Sequence, residues 1–385
     1  MTKVITGQNQ SYARAVNNEL VIQRLRVKDY SATELAHDLG LSHAALSSIL
    51  RGLTKDEIIK ISHSISISGK GRKQVYYSLN ESYGILIVVS LLDNRYTISF
   101  SNIKEEIIFE EQKEIDLYDV AIIYEIILRI KQILQENYKD IPLRHIIIAV
   151  PGRVNSITGE LQLSKQFDID LFRGKNSIIQ IFKNHFNVPI TMDNDINLSI
   201  LGEAKYGCLK EVQNAMLAYI DNGIGGALLF HGKFYGGDFG YAGEFGLMTA
   251  TFHGQETYLD EFASLRSLKN YARSILKRKF TVADLVVEYQ KKGAIYEYVN
   301  QTAHLVGKKL RDVVEILNIS NIVLSGRVTL LGDDYLRCIQ EEIAKSQNQC
   351  EVQFSTLGKK SILFGAVSKS VDCTIPHAED NLENS

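Results

Sequence analysis

The chain has little cysteine. Four residues in 385, Cys208, Cys338, Cys350 and Cys373, are scattered without CxxC spacing. That excludes a disulfide framework and a cysteine-based metal cluster, and reads as incidental thiols of a reducing compartment. Equally missing is any apolar run approaching a membrane span, and the opening MTKVITGQNQ has no apolar signal core. No membrane partner and a cytoplasmic location are the default expectations. Charge is not extreme either: the net is −2, with 45% hydrophobic and 23% charged residues. This is an ordinary globular composition, long enough for two or three domains.

The small net charge hides an asymmetry. Residues 1–80 hold eleven basic and six acidic side chains, a net +5, so the remainder carries −7. A basic segment on an acidic body points toward nucleic acid. Within it, apolar Ala15, Leu20, Val21, Ile22 and Leu25 predict a helix over about 11–27. Ser31-Ala-Thr-Glu34 has the form of a capping box, followed by inward Leu35, Ala36 and Leu39. Gly40 permits a tight turn, and Ser42 can cap a further helix with Ala45, Leu46, Ile49 and Leu50 on its buried side. Two short helices joined at a glycine make a helix-turn-helix, whose second helix reads DNA. Its early exposed positions Ser42, His43, Ala44, Ser47 and Ser48 are small or polar enough for a major groove, with Arg51 near the backbone.

Behind it, Ile58, Ile59, Ile61, Ile65 and Ile67 predict the two strands of a wing. The basic tip GKGRKQ, with Lys70, Arg72 and Lys73, could follow phosphates or a narrow minor groove. The expected first domain is a winged helix-turn-helix over 1–80, with operator DNA as partner.

From Tyr83 the texture changes. GILIVVSLL, RYTISFS and EEIIFEEQKEI read as successive strands, followed by a helix over about 118–137 and the strand HIIIAVPG. A second such unit opens near Asn214 with AMLAYIDNGIGGALLFHGKFYGG. It closes with a helix carrying Leu305, Leu310, Val313, Val314 and Leu317, the strand NIVLSG, and a helix-strand-helix. The fold class is α/β: two related lobes, expected at 83–193 and 194–373, around a ligand cleft. A polar tail is expected over 374–385.

The motif order, helix-turn-helix, GRKQ wing, PGRVNSITGEL, DNDINLSILGEAKYG, NGIGGALLFHGKFYGG, AGEFGLM and LDEFAS, resembles the ROK family of repressors and sugar kinases. That resemblance implies an actin-like, ribonuclease-H-like fold. With the N-terminal reader it places the chain beside the family's regulators of xylose and N-acetylglucosamine operons. By position, the family's sugar-hydroxyl ligands carry over to Asn194, Asp195, Glu244 and Asp260, with Gly152 at the loop edge. Carboxylates and an amide suit vicinal hydroxyls, because each can bridge two of them. Asp193 or Asn194 could equally cap the helix that follows.

Asp195 also stands where the family's kinases keep their general base, yet the nucleotide elements depart from the kinase pattern. The first phosphate turn is VVSLLDNRY, without glycine, and Asp93 reads as a hairpin residue. The second keeps Gly223, Gly225 and Gly226 but has Asp221 and Ala227 where glycines are usual. The adenine run is reduced to Gly326, followed by Arg327. Leu247 replaces the motif histidine, and the zinc-binding cysteines are absent, His253 alone being no four-ligand site. The expectation is therefore a regulator, with no catalytic residue, cofactor or metal. It would sense a carbohydrate and act as a homodimer or dimer of dimers on a palindromic operator. An ATP-dependent sugar kinase and a regulator answering a protein partner are the alternatives.

Overall fold

A computed structural model describes residues 6–66, 73–116 and 118–375. The head comprises α1 (Thr6–Leu25), β1 (Tyr30–Ser31), α2 (Ala32–Leu39), α3 (His43–Lys55), β2 (Ile59–Ser66) and β3 (Lys73–Leu79). Local chemistry sets these boundaries. The Ser31–Glu34 capping box opens α2, Gly40 at φ 64° closes it, and the Ser42 side chain accepts from the Ala45 N–H to open α3. Val21, Ile22, Leu35, Leu46, Ile49, Leu50 and Leu53 close a small core.

Three expectations need correction. Leu20 is 40% exposed, and Ala45 lies on the solvent side of α3 rather than inside. The isoleucine run makes only the first wing strand, in which Ile59 is buried but Ile61 and Ile65 are exposed, and β3 is its antiparallel partner. Ile67, Lys70 and Arg72 lie outside the described residues.

The first lobe contains β4 (Ile85–Leu92), β5 (Arg95–Ser101), β6 (Ile107–Glu114), α4 (Val120–Asn137), β7 (Leu143–Val150), the short pair β8 (Arg153–Val154) and β9 (Leu161–Leu163), α5 (Ile178–Lys183) and β10 (Ile190–Asn194). Its five-stranded sheet runs β10-β7-β4-β5-β6. The second contains α6 (Asp195–Tyr206), β11 (Ala215–Ile220), β12 (Ile224–Phe230), β13 (Lys233–Tyr235), β14 (Thr249–Phe252), β15 (Gln255–Tyr258), α7 (Leu259–Ala263), α8 (Leu265–Leu276), α9 (Val282–Gln290), α10 (Ala294–Leu317), β16 (Asn321–Ser325), α11 (Asp333–Ile343), β17 (Glu351–Phe354) and α12 (Lys360–Thr374).

The second main sheet runs β13-β12-β11-β16-β17, so in both lobes the first strand is central, flanked by an antiparallel meander and by two parallel strands. This repeated topology is the two-lobed actin-like arrangement expected from the motifs.

Central strands are apolar on both faces because helices cover both. Along β7, Ile146, Ile148 and Val150 join the core under α4 and α5, while Ile147 and Ala149 join Leu198 of α6 and Ala366 of α12 on the other side. Although last in sequence, α12 returns to pack on the first sheet and against α6. The two helices approach closely because both contacts use glycine. A Cβ on Gly202 would stand 2.1 Å from the Ser361 carbonyl oxygen, and one on Gly365 would stand 1.8 Å from that of Leu198. Ile375 is also buried, within the head's core, so the ordered fold extends past the expected start of the tail at residue 374.

Candidate functional site

On the head, Ser42, His43, Ala44, Ser47, Ser48 and Arg51 are all exposed along one face of α3, opposite Leu46, Ile49, Leu50 and Leu53. Lys73 is exposed where β3 begins. The reading face is thus polar or small and open, as the helical period requires once four apolar positions are buried.

Between the lobes lies a cleft of about 860 Å³. It brings Gly152, Asn194, Asp195, Glu244 and Asp260 together, from four different parts of the chain. Gly152 has φ 133°, and a Cβ there would meet the Leu163 carbonyl oxygen at 2.1 Å, so this turn needs glycine. Asn194 holds the turn, its Nδ2 donating to the Gly152 carbonyl oxygen at 2.6 Å. Its Oδ1 accepts the N–H groups of Ile196 and Asn197, which makes it the N-cap of α6. Most of this amide's capacity is therefore spent on the backbone, the capping role that its place before a helix allows.

Asp195 is 7% exposed and lines the cleft. Burial pushes its carboxyl up to about 7, and the nearby charges of Asp93 and Asp221 add to the effect against backbone N–H groups that oppose it. Glu244 faces Arg153, whose Nε donates to Oε1 at 2.8 Å. Asp260 receives the Ile224 N–H at 2.6 Å, Lys165 Nζ at 2.7 Å and Arg266 Nη2 at 2.7 Å. Arg153, Lys165 and Arg266 also line the cleft and were not foreseen. Only Arg153, next to Gly152 in PGRVNS, carried a positional signal.

The half of the cleft expected to hold nucleotide is built differently. Asp93 and Asn94 have φ 55° and 54°, the paired left-handed residues of a tight hairpin turn between β4 and β5. Asp93 pairs with Lys359 at 3.0 Å. Two of the surviving glycines have packing reasons: a Cβ on Gly225 would sit 2.6 Å from Ile196 Cδ1, and one on Gly226 would sit 2.9 Å from the Gly243 and Leu217 carbonyl oxygens.

The two substituted positions, Asp221 and Arg327, meet each other. The carboxylate of Asp221 accepts the Arg327 backbone N–H at 3.0 Å and Nε at 2.9 Å, with Nη2 on its other oxygen. Despite burial, which favours the neutral acid, this guanidinium holds Asp221 below its ordinary value. Leu247, in place of the motif histidine, is 44% exposed at the cleft. His253 bonds Gln301 at a hairpin turn, and among the described residues no cluster of His, Cys, Asp or Glu could hold a metal ion. Nor is any described helix long and apolar enough to cross a membrane.

Comparison with known sequences then decides the family: residues 104–369 match the ROK family model. The chain belongs to the ROK family. A "Putative xylose repressor" of Caldicellulosiruptor sp. is 24% identical over 94% of this chain and 96% of its own length. Among solved structures, a ROK family transcriptional regulator, a homolog of the E. coli MLC protein, superposes with TM-score 0.74 over 94% of this chain and 99% of its own, at 16% identity. The ROK hexokinase from Thermus thermophilus, at TM-score 0.61 and 18% identity, covers 74% of this chain. This ROK chain thus has the full-length extent of the regulators, whereas the kinase likeness covers a smaller part.

Proposed function

We propose that this ROK protein is a DNA-binding transcriptional repressor that senses a sugar in its cleft and transfers no phosphate. One observation carries the reading. The sugar half retains Asp195 and Glu244, while the second phosphate turn carries the Asp221–Arg327 ion pair in place of free amide donors. A kinase needs donors aimed at the transferring phosphoryl group. Here a carboxylate occupies the second phosphate turn, its cation is already paired, and the first phosphate turn is a tight hairpin. Asp195 then has no phosphoryl group to serve and acts as a hydroxyl-binding group.

The full-length relatives named xylose repressors make D-xylose the first effector to try, with operator DNA the partner of the α3 face. Pairing of two chains would match a two-fold symmetric operator. The proposed DNA contacts are Ser42, His43, Ala44, Ser47, Ser48 and Arg51 on α3, with Lys70, Arg72 and Lys73 at the wing. The proposed sugar ligands are Gly152, Asn194, Asp195, Glu244 and Asp260. The test combines thermal shift with a pentose and hexose panel and an ADP-release assay with the same sugars and MgATP. The reading expects a raised Tm with at least one sugar and no ADP above the ATP-only control. Sugar-dependent ADP release would overturn it.

A further inference from the structure

We propose that α6 and α12 form a rigid two-helix strut that carries the state of the sugar cleft to the DNA-binding head, with Arg26 as the joint. The coupling deepens the sensor reading above and rests on it.

The two helices pack antiparallel, since Glu203 near the end of α6 accepts the Leu357 N–H that precedes α12, while Asp193 before α6 pairs with Lys369 late in α12. Each begins at the cleft and reaches the Arg26 cluster, α12 directly and α6 through Lys205 and Glu105. Lining the cleft are Asn194 and Asp195 at the start of α6 and Lys359, Lys360, Ile362 and Leu363 at the start of α12. The helices have 12 and 15 residues, or about 18 and 22 Å at about 1.5 Å per residue. They are locked together by Gly202 against Ser361, by Gly365 against Leu198, and by a 2.6 Å hydrogen bond between Ser199 and Ser361. Helices in backbone contact at two glycines cannot slide independently, so they move as one body.

The polar joint between the strut and the head is built on Arg26. Arg26 follows α1 directly, yet its side chain is only 6% exposed. Its guanidinium grips Asp372 and the Ser368 hydroxyl of α12, and donates from Nε to Glu105 at 2.8 Å. Lys205 of α6 donates to the same Glu105 oxygen, Oε1. Glu105 is itself fixed, at φ 66° in the β5–β6 turn, with Asn102 beneath it bonding the Lys104 and Glu106 N–H groups. A single buried guanidinium therefore ties the head to both helices of the strut and to the first sheet. Around it Leu86, Ile103, Val371 and Ile375 share one core with Leu25 and Leu35 of the head. A shift of the strut at the cleft must either move the head or break this buried charge cluster.

Coupling between sites is reciprocal, so DNA must be felt at the cleft just as sugar is felt at the head. The test begins with a duplex selected from a random pool by the wild-type protein. Hydrogen exchange is then followed with and without that duplex, and DNA affinity is measured with and without D-xylose. In the wild type, duplex binding should change exchange at amides 195–198 and 361–363, far from α3. D-xylose should shift duplex affinity at least tenfold.

Arg26→Gln, and the charge-balanced Arg26→Gln/Glu105→Gln should the single variant fail to fold, should bind duplex within about threefold of wild type. They should also bind sugar by thermal shift, but respond less than twofold and lose the exchange change. Cleft-end amides indifferent to duplex in the wild type, or full coupling in either variant, would overturn the proposal. If the wild type ignores D-xylose, the choice of sugar fails while the exchange measurement still decides the strut. If no duplex is enriched, the DNA-binding reading falls and the strut falls with it.

Discussion

Asp195→Asn should stabilise the sugar-free protein, and by an amount that depends on pH in a defined direction. In the folded state burial pushes Asp195 to about 7, against an ordinary value of 3.8. Because the folded value is raised, the native state binds the proton more tightly than the unfolded chain does. Stability contributed by that proton is fully present below pH 4 and is lost as pH rises through 7. About three pH units at roughly 1.4 kcal/mol each give a destabilisation of about 4 kcal/mol at pH 8. By the same linkage the penalty is about 2 kcal/mol at pH 5 and under about 1 kcal/mol at pH 4.

Asparagine keeps the shape without the charge, and the Asp195 side chain has no partner in the cleft's ion pairs to orphan. The variant should therefore melt several degrees above the wild type at pH 8, with a gap that narrows steadily toward pH 4. Urea or thermal melts at pH 4, 5, 6.5 and 8 supply the comparison, since other titrating groups cancel in the difference. A gap that is constant with pH, or a variant less stable at pH 8, would refute the burial argument. The same variant should show a smaller sugar-dependent rise in Tm, because the amide keeps one accepting oxygen where the carboxylate has two.

Arg327→Ala should destabilise the protein by about 2 kcal/mol, because it leaves the buried Asp221 carboxylate without its cation. Asp221→Gly/Arg327→Gly should restore much of this in denaturant melts, while giving no ADP release with any hexose. Asn194→Ala should cost about 1–2 kcal/mol through loss of the α6 cap and the Gly152 tether, and should weaken sugar binding; unchanged stability would contradict the bonding described. Arg51→Ala should weaken duplex binding and lower the salt slope of log affinity by about 1, measured by anisotropy from about 50 to 200 mM salt. An unchanged slope would remove Arg51 from the proposed DNA face.

Elements whose cause is local could be read from the sequence. The Ser31–Glu34 box, Gly40 and Ser42 announce two short helices because capping uses neighbours in the chain. The alternate burial of Ile146, Ile147 and Ile148 makes β7 unmistakably a strand covered on both faces. The wing was harder, since Ile61 and Ile65 are exposed and apolarity therefore misplaced its strands. For the cleft, motif order located Asp195, Glu244 and Asp260. But Arg153, which faces Glu244, and Lys165, which faces Asp260, come from distant segments, and only Arg266, six residues past Asp260, is near in sequence. No periodicity records such pairings. Asp221 and Arg327 were visible only as two separate departures from a glycine pattern. That each neutralises the other follows from the parallel pairing of β11 with β16, a contact across 106 residues. The return of α12 to the first sheet, and with it the Arg26 cluster, depends likewise on contacts hundreds of residues apart.

The central claim is that the cleft senses sugar without phosphorylating it. The most direct measurement is the affinity for a selected DNA duplex as a function of pentose or hexose concentration, with and without MgATP. The account expects at least one sugar alone to shift the affinity, with no further change and no sugar phosphate when ATP is added. A DNA affinity that responds to sugar only when ATP is also present, with sugar phosphate formed, would contradict it.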